Sequence, residues 1–297
     1  MQKQGSLGRR LVIALLATAV IGAVCWAGAL YLTRSAAERL CEQYAERVQA
    51  VTTTVHRDLA RLAAQPATIA VDAAGVGPAF VATVESNPLY ITVGLSDADG
   101  NSIFSTYRQK PGTSLRDRRY FQQTLQRKSF AAGEFVLGKM SGLGVFHFSL
   151  PVNDLQGQMT GTINIAVNLQ NLEQILALNE LPKGAVLHLV DHRGAILSTN
   201  QEPLRRLGHT FSDAGLERLK NSGTMRGGFA DSDKGTRYHC GRSLLLPDGT
   251  PYAYLLISLD TAGYKQRALL LFELLLTVAG AFFLLRVMQQ KKKQRAV

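Results

Sequence analysis

The sequence predicts an α+β protein. One long N-terminal helix leads into two tandem units of antiparallel sheet, with a membrane-spanning helix before and after. Three observations carry this reading. Residues 11–32 are uncharged, and residues 268–285 form a second apolar run with one acid, Glu273. Residues 35–65 contain no glycine or proline and repeat apolar side chains every three or four positions. Beyond Pro88 the apolar period becomes two, broken by turn residues.

The first apolar run has 22 residues, enough to cross about 30 Å of hydrocarbon. It is longer than a signal-peptide core, and no small-residue cleavage pattern follows it, so it reads as a retained anchor. Glu273 lies towards the outer end of the second run, within reach of headgroups or a neighbouring helix. Lys3, Arg9 and Arg10 precede the first run; Arg286, Lys291, Lys292, Lys293 and Arg295 follow the second. By the positive-inside rule both ends are cytoplasmic and the centre faces outward, the periplasmic side of an inner membrane. These eight cations supply most of the net charge of +11, leaving 25 basic against 22 acidic residues elsewhere. The basic balance therefore belongs to the membrane flanks and gives no support for nucleic-acid binding.

The divisions follow. Residues 1–10 form a cytoplasmic N-terminus, 11–32 a span, and 33–66 a long signalling or dimerisation helix. Residues 67–168 form a membrane-distal unit, and 169–264 a linking helix (169–181) with a membrane-proximal unit. A span over 265–287 and a basic cytoplasmic tail over 288–297 complete the chain. In the long helix Leu40, Tyr44, Val48, Val51, Val55, Leu59 and Leu62 make one apolar stripe, for packing on the domain or on a second copy.

In the distal unit Ile91, Val93 and Leu95 alternate with smaller residues, Asp97 to Gly100 make a turn, and Ile103, Ser105 and Tyr107 return. A second hairpin joins VFHFSL (145–150) to GTINIAVNL (161–169). The plan then recurs. LVDHRG (189–194) followed by Ser198-Thr199 echoes LSDADG (95–100) followed by Ser105-Thr106. SLLL (243–246), Pro247-Asp248-Gly249 and residues 252–259 repeat the closing hairpin, so two related units are expected.

Cys25 lies inside the first apolar run, while Cys41 and Cys240 fall on the outer side. A disulfide between the last two stays open, because they sit in different elements. No metal-ligand spacing is present, and no cofactor is implied. No zinc-protease, nucleophile-elbow, phosphate-loop or paired-carboxylate arrangement stands out, so a non-catalytic protein is expected. Asp97/Asp99 and Asp231/Asp233 have the spacing of turn-forming aspartates.

The sharpest motif is RDRRYF, residues 116–121. It resembles the Asp-Arg-x-Tyr-Phe signature of the double Cache (PAS-like) family of extracytoplasmic sensor domains. FVLGKMSG (135–142), Leu150-Pro151-Val152 and residues 161–169 resemble the segments that follow it, in order and spacing. The resemblance covers roughly residues 35–264. It implies a sensor for a small molecule, often a carboxylate, amino acid or amine, serving chemoreceptors, histidine kinases or diguanylate cyclases. Residues 288–297 cannot hold such an output module. The expectation is therefore a standalone sensor with a separate cytoplasmic partner (kinase, cyclase or chemotaxis component), or a piece of a longer receptor. A homodimer through the long helix is a further expectation.

The resemblance also assigns residues. It implies that Arg118 points into a pocket and anchors an anion, suiting the planar fork of a guanidinium. It leaves Arg116 and Arg119 as surface charge or partners of Asp117. Tyr120 is either a ligand donor and wall or a core tyrosine; Phe121 is a wall or plain core. Lys139, in a loop with Gly138, Gly142 and Gly144, is a second ligand cation or a surface lysine. Strand parity puts Thr162, Asn164, Ala166 and Asn168 opposite Ile163, Ile165 and Val167, and makes Asn164 the centre of a small, polar pocket floor. His147 is a pocket residue or a satisfied core histidine. Amino-acid-binding members carry an Asp on this last strand for the ligand's ammonium and usually a Trp at the position of Tyr120. Here the strand has no acid, which points to an organic anion without an essential ammonium. The rival expectation is a membrane interaction or scaffold protein whose outer domain binds another protein.

Overall fold

The computed structural model describes residues 2–107, 112–139, 141–232 and 235–295. Met140 and Asp233, which figure in the motifs above, lie outside the described residues, as do Met1 and residues 296–297.

Helix α1 runs unbroken from Gln2 to Ala63. Its buried stripe is Ala37, Cys41, Tyr44, Val48, Thr52, Val55, Leu59 and Leu62. Leu40 and Val51, expected on this stripe, are half-buried at its border. Cys41 and Thr52 take the centre line instead. The Thr52 hydroxyl can be buried because it bonds the Val48 carbonyl at 3.2 Å and the Tyr252 hydroxyl at 2.6 Å. Pro66, which lacks an N–H, opens the short α2 (Pro66–Ile69), and Asp72 caps α3 (Ala73–Glu85) by accepting from the Ala74 amide.

The first sheet comprises β1 (Tyr90–Asp97), β2 (Ser102–Ser105), β3 (Ala131–Leu137), β4 (Gly144–Asn153) and β5 (Met159–Asn168), with α4 (Arg119–Arg127) inserted before β3. Its strand order is β2-β1-β5-β4-β3. After α5 (Leu169–Ile175) and a 3₁₀ turn (Leu178–Glu180), the second sheet is built from β6 (Ala185–Asp191), β7 (Ile196–Thr199), β8 (Thr224–Ser232), β9 (Gly235–Leu245) and β10 (Pro251–Asp260). Helices α6 (Pro203–Arg206) and α7 (Ala214–Ser222) lie between β7 and β8. The order is β7-β6-β10-β9-β8, the same topology repeated. Helix α8 (Ala262–Arg295) ends the chain. The linking helix expected over 169–181 stops at Ile175. Ala177 adopts a left-handed conformation (φ 52°), which turns both Leu176 and Leu178 into the core.

The repeat extends to single hydrogen bonds. In the β1–β2 turn, Asp97 accepts the Asn101 amide on its side chain and the Gly100 amide on its carbonyl, with Gly100 at φ 81°. In the β6–β7 turn, Asp191 accepts the Ala195 and Gly194 amides in the same way, with Gly194 at φ 89°. Both glycines occupy a left-handed position that a side chain would strain. The paired register also shifts at matching points, Leu95/Ser96 and Leu189/Val190.

The chain divides into two compact units. Residues 38–227 and 239–258 form the larger, whose core holds Phe146, Phe148 and Tyr252 in mutual ring contact. The other comprises residues up to 37, 228–238 and from 259 on. In it Lys265 lies 4.8 Å over the Trp26 ring, and Gly22 sits against Phe272. Helices α1 and α8 are each long and apolar enough to cross a membrane.

Candidate functional site

A cavity opens on the first sheet, enclosing about 520 Å³ with the solvent at its mouth included. Its floor comes from the strand face that carries small residues: Thr92 and Gly94 of β1, Val145 and His147 of β4, Asn164 and Ala166 of β5. The opposite parity carries Val93, Leu95, Ile163 and Ile165, all fully buried in the core.

The cationic side of the cavity comes from the residues that start α4. Arg118 is the N-cap residue, extended at φ −85° and ψ 127°, and its side chain does not cap the helix. The guanidinium lines the cavity, and its Nη2 donates to the Leu137 carbonyl at 3.3 Å. Among the described residues no carboxylate lies within ion-pair distance of it. Two residues further, Tyr120 is buried and its ring stacks on the His147 imidazole, with centroids 4.5 Å apart and planes at 15°. Burial, helped by the charge of Arg118, pushes the His147 pKa down to about 3, so the ring is neutral near pH 7. Its Nδ1 has no hydrogen-bond partner among the described residues. Burial also pushes the Tyr120 phenol up, keeping it protonated. Asn164 donates to the Gly94 carbonyl at 3.3 Å, which fixes its amide at the centre of the floor.

Arg118, Tyr120, Lys139, His147 and Asn164 thus come together around one cavity. Phe121 does not. It is turned from the cavity into a cluster with Leu115 and Tyr120, because neighbouring helical positions point about 100° apart. Lys139 reaches the lining, but its ammonium is held by the Ser114 carbonyl at 2.7 Å and by Asp117 at 2.6 Å. Asp117 is therefore the partner of Lys139. Arg116 pairs with Asp99 at 3.3 Å, and Arg119 faces a separate small cleft with Gln123, Arg127 and Thr250. Asn168, grouped with the floor by parity, caps α5 instead, accepting the Gln170 amide at 3.0 Å. Sequence reasoning missed Thr92, Phe104, Ser105 and Ser141, which also line the cavity. For Thr92 the signal was present, in the small residues alternating with Ile91, Val93 and Leu95.

The cavity lining carries two cationic side chains, hydroxyls, one amide and one neutral imidazole, and no carboxylate among the described residues. Its chemistry suits a small anion, with Arg118 as the cation that no internal carboxylate occupies.

The sequence matches no protein-family model and no curated protein sequence. Solved structures are similar. The ligand-binding domain of the Pseudomonas fluorescens chemoreceptor CtaA, in complex with L-isoleucine, aligns with a TM-score of 0.62 at 17% identity, over 80% of this chain and 94% of that one. The sensor domain of the Vibrio cholerae histidine kinase DctB aligns with 0.54 at 15% identity, over 76% and 97%. An extracellular ligand-binding receptor from Desulfohalobium retbaense aligns with 0.59 at 14% identity; 74% of this chain is covered but only 40% of that receptor. The fold is the double Cache fold. At these identities the likeness is one of architecture, and the cavity belongs to the first sheet. RDRRYF places Arg118 and Tyr120 at the cavity and its other two arginines elsewhere.

Proposed function

We propose that this protein is a membrane-anchored extracytoplasmic sensor that binds a small organic anion, of the carboxylate class, in the distal Cache unit. The observation that carries the reading is Arg118. It is a cavity-lining guanidinium with no carboxylate at ion-pair distance among the described residues, and it shares the cavity with the Tyr120–His147 stack and the Asn164 amide. A carboxylate engaging the guanidinium fork gains paired, charge-assisted hydrogen bonds in a partly dry site. The stack supplies an apolar wall, and neutral His147 adds no competing charge.

The solved neighbour with L-isoleucine binds an amino acid. In this chain, β1, β4 and β5 offer no carboxylate to an ammonium group at the cavity, which favours acids without one. The role is binding, not catalysis. Both apolar helices are membrane spans in this reading, with the basic flanks cytoplasmic and the sheets in the periplasm. The signal passes to a separate or attached output protein through α1, which continues from span to domain as one helix. Only a ligand that binds two states unequally shifts their populations.

The test is a thermal-shift screen of the intact chain in detergent against organic acids, amino acids, amines and purines. The reading predicts that hits cluster among organic acids and vanish in R118A. A hit set dominated by amines or purines, or acid binding retained by R118A, sinks it.

A further inference from the structure

Cys41 lies on the buried stripe of α1 and Cys240 on β9, and each is only 2% exposed. Far apart in sequence, their side chains are in hydrogen-bond contact. Neighbouring pairs fix the same register. Glu42, next along the helix, is ion-paired with Arg242. Arg242 follows Cys240 by two residues and so shares its strand face. Three turns further along α1, Thr52 meets Tyr252 of the adjacent β10 at 2.6 Å. The two sulfurs therefore meet inside an ordered helix-on-sheet contact.

The hydrogen bond with Cys41, and burial after it, push the Cys240 thiol well above its ordinary pKa. A thiol so held is a poor nucleophile in the closed protein. Bond formation then belongs to the folding chain, or to a state in which α1 has opened locally from β9.

We propose that Cys41 and Cys240 form a disulfide that fastens α1 to β9. The oxidant is a disulfide, either of low molecular weight or carried by an oxidoreductase. One cysteine thiolate attacks it, forming a mixed disulfide and expelling one thiolate. The second cysteine then displaces the other half. Two protein thiols are oxidised to one disulfide, the donor disulfide is reduced to two thiols, and these take the two protons the cysteines lose. The ring so closed contains the whole first sheet and most of the second, and closing a loop of this length removes much freedom from the unfolded chain. The inference needs nothing of the ligand site. It rests on the proposed outward placement of the domain only for its oxidising surroundings.

The experiment uses the intact chain, purified in detergent and equilibrated with excess glutathione disulfide. Samples are quenched in acid and labelled with a maleimide in denaturant, with and without prior reduction, then digested for mass spectrometry. The expected result is a peptide pair joined through Cys41 and Cys240, two hydrogens lighter than the separate peptides. Both cysteines take label only after reduction, with Cys25 labelled throughout as the internal control. C41S abolishes the joined pair and leaves Cys240 as a thiol or a glutathione adduct, and C240S does the same for Cys41. Reduction lowers the Tm of the wild-type chain and leaves that of the C41A/C240A double variant unchanged. Free thiols at both positions after equilibration, or separate glutathione adducts on each, overturn the proposal. The same labelling in cells separates the two readings. A chain that pairs in vitro but carries both thiols in cells refutes the outward placement and leaves the disulfide standing.

Discussion

The Phe135 amide on β3 donates to Oδ2 of Asp191, at the end of β6, at 2.9 Å. Asp191 is fully buried, and its other oxygen accepts the Arg193 and Ala195 amides that close the β6–β7 turn. Two residues along β3, the Leu137 carbonyl accepts from Arg118. One carboxylate thus ties the second sheet's first turn to the strand that positions the cavity's cation. Asp191→Asn turns one acceptor oxygen into a donor NH₂ facing an amide N–H. Asp191→Ala removes both acceptors. Each is expected to cost about 1–3 kcal/mol, measured by urea unfolding. An Asn variant within about 0.5 kcal/mol of wild type, the usual scatter for inert sites, would exclude this role.

At the cavity, charge and geometry separate. Arg118→Lys keeps the charge but loses the planar fork, and Arg118→Ala loses both. Binding of any acid hit should weaken at least tenfold in the lysine variant and further in the alanine variant, by calorimetry. Lys139→Ala should weaken it less than either, because its ammonium is already held by Asp117 and the Ser114 carbonyl. Equal losses at Lys139 and Arg118 would mean that the ligand displaces Asp117.

Two glycines give a paired test of floor against framework. A Cβ on Gly94 would sit 3.0 Å from the Asn164 amide nitrogen, at a side chain in the cavity. A Cβ on Gly161 would sit 2.1 Å from the Ser96 carbonyl, against the backbone of β1. Gly94→Ala should therefore reduce ligand affinity with little change in Tm. Gly161→Ala should destabilise by about 1–3 kcal/mol, since strands must shift to admit it. The reverse ranking in Tm would show that the register between β1 and β5 is misassigned.

Stability should fall in mild acid. His147 is held down to about 3 by burial and then Arg118; His188 is held down to about 4 by burial and then Arg206. Below about pH 6.5, the ordinary histidine value, the unfolded chain takes up protons that these folded sites refuse. Their contribution is complete above that pH and declines as pH falls towards 3. The slope is up to about 1.4 kcal/mol per pH unit for each histidine. His147→Gln should flatten the profile of unfolding free energy between pH 6.5 and 5. An unchanged slope would mean that His147 protonates freely in the native state.

Much of the architecture was legible because it rests on period and punctuation. The uncharged runs, the long helix, the two Asp-x-x-Gly turns and the duplicated hairpins are local patterns, whereas the pairing of β1 with β5 that completes the strand order is not. Parity even exposed the cavity floor at Asn164, since alternate residues of a strand face opposite ways whatever packs on them. Local pattern fails where the outcome depends on what lies across a contact. RDRRYF does not say which arginine faces the cavity, because that depends on where β3, Asp99 and Asp117 arrive. Phe121 and Tyr120 are equally aromatic and share one buried cluster, yet their angular separation on α4 lets only Tyr120 border the cavity as well. Thr52 looked polar and Val51 apolar, yet a hydroxyl from Tyr252 makes Thr52 the buried one. Cys41 and Cys240 were two isolated thiols until helix and strand docked. The sequence by itself determined the long helix, the apolar end runs, the repeated hairpins and the residue types that line the cavity. Tertiary structure alone decided which side chains meet, because contacts between residues far apart in the chain are set by packing and hydrogen-bond satisfaction, not by local periodicity.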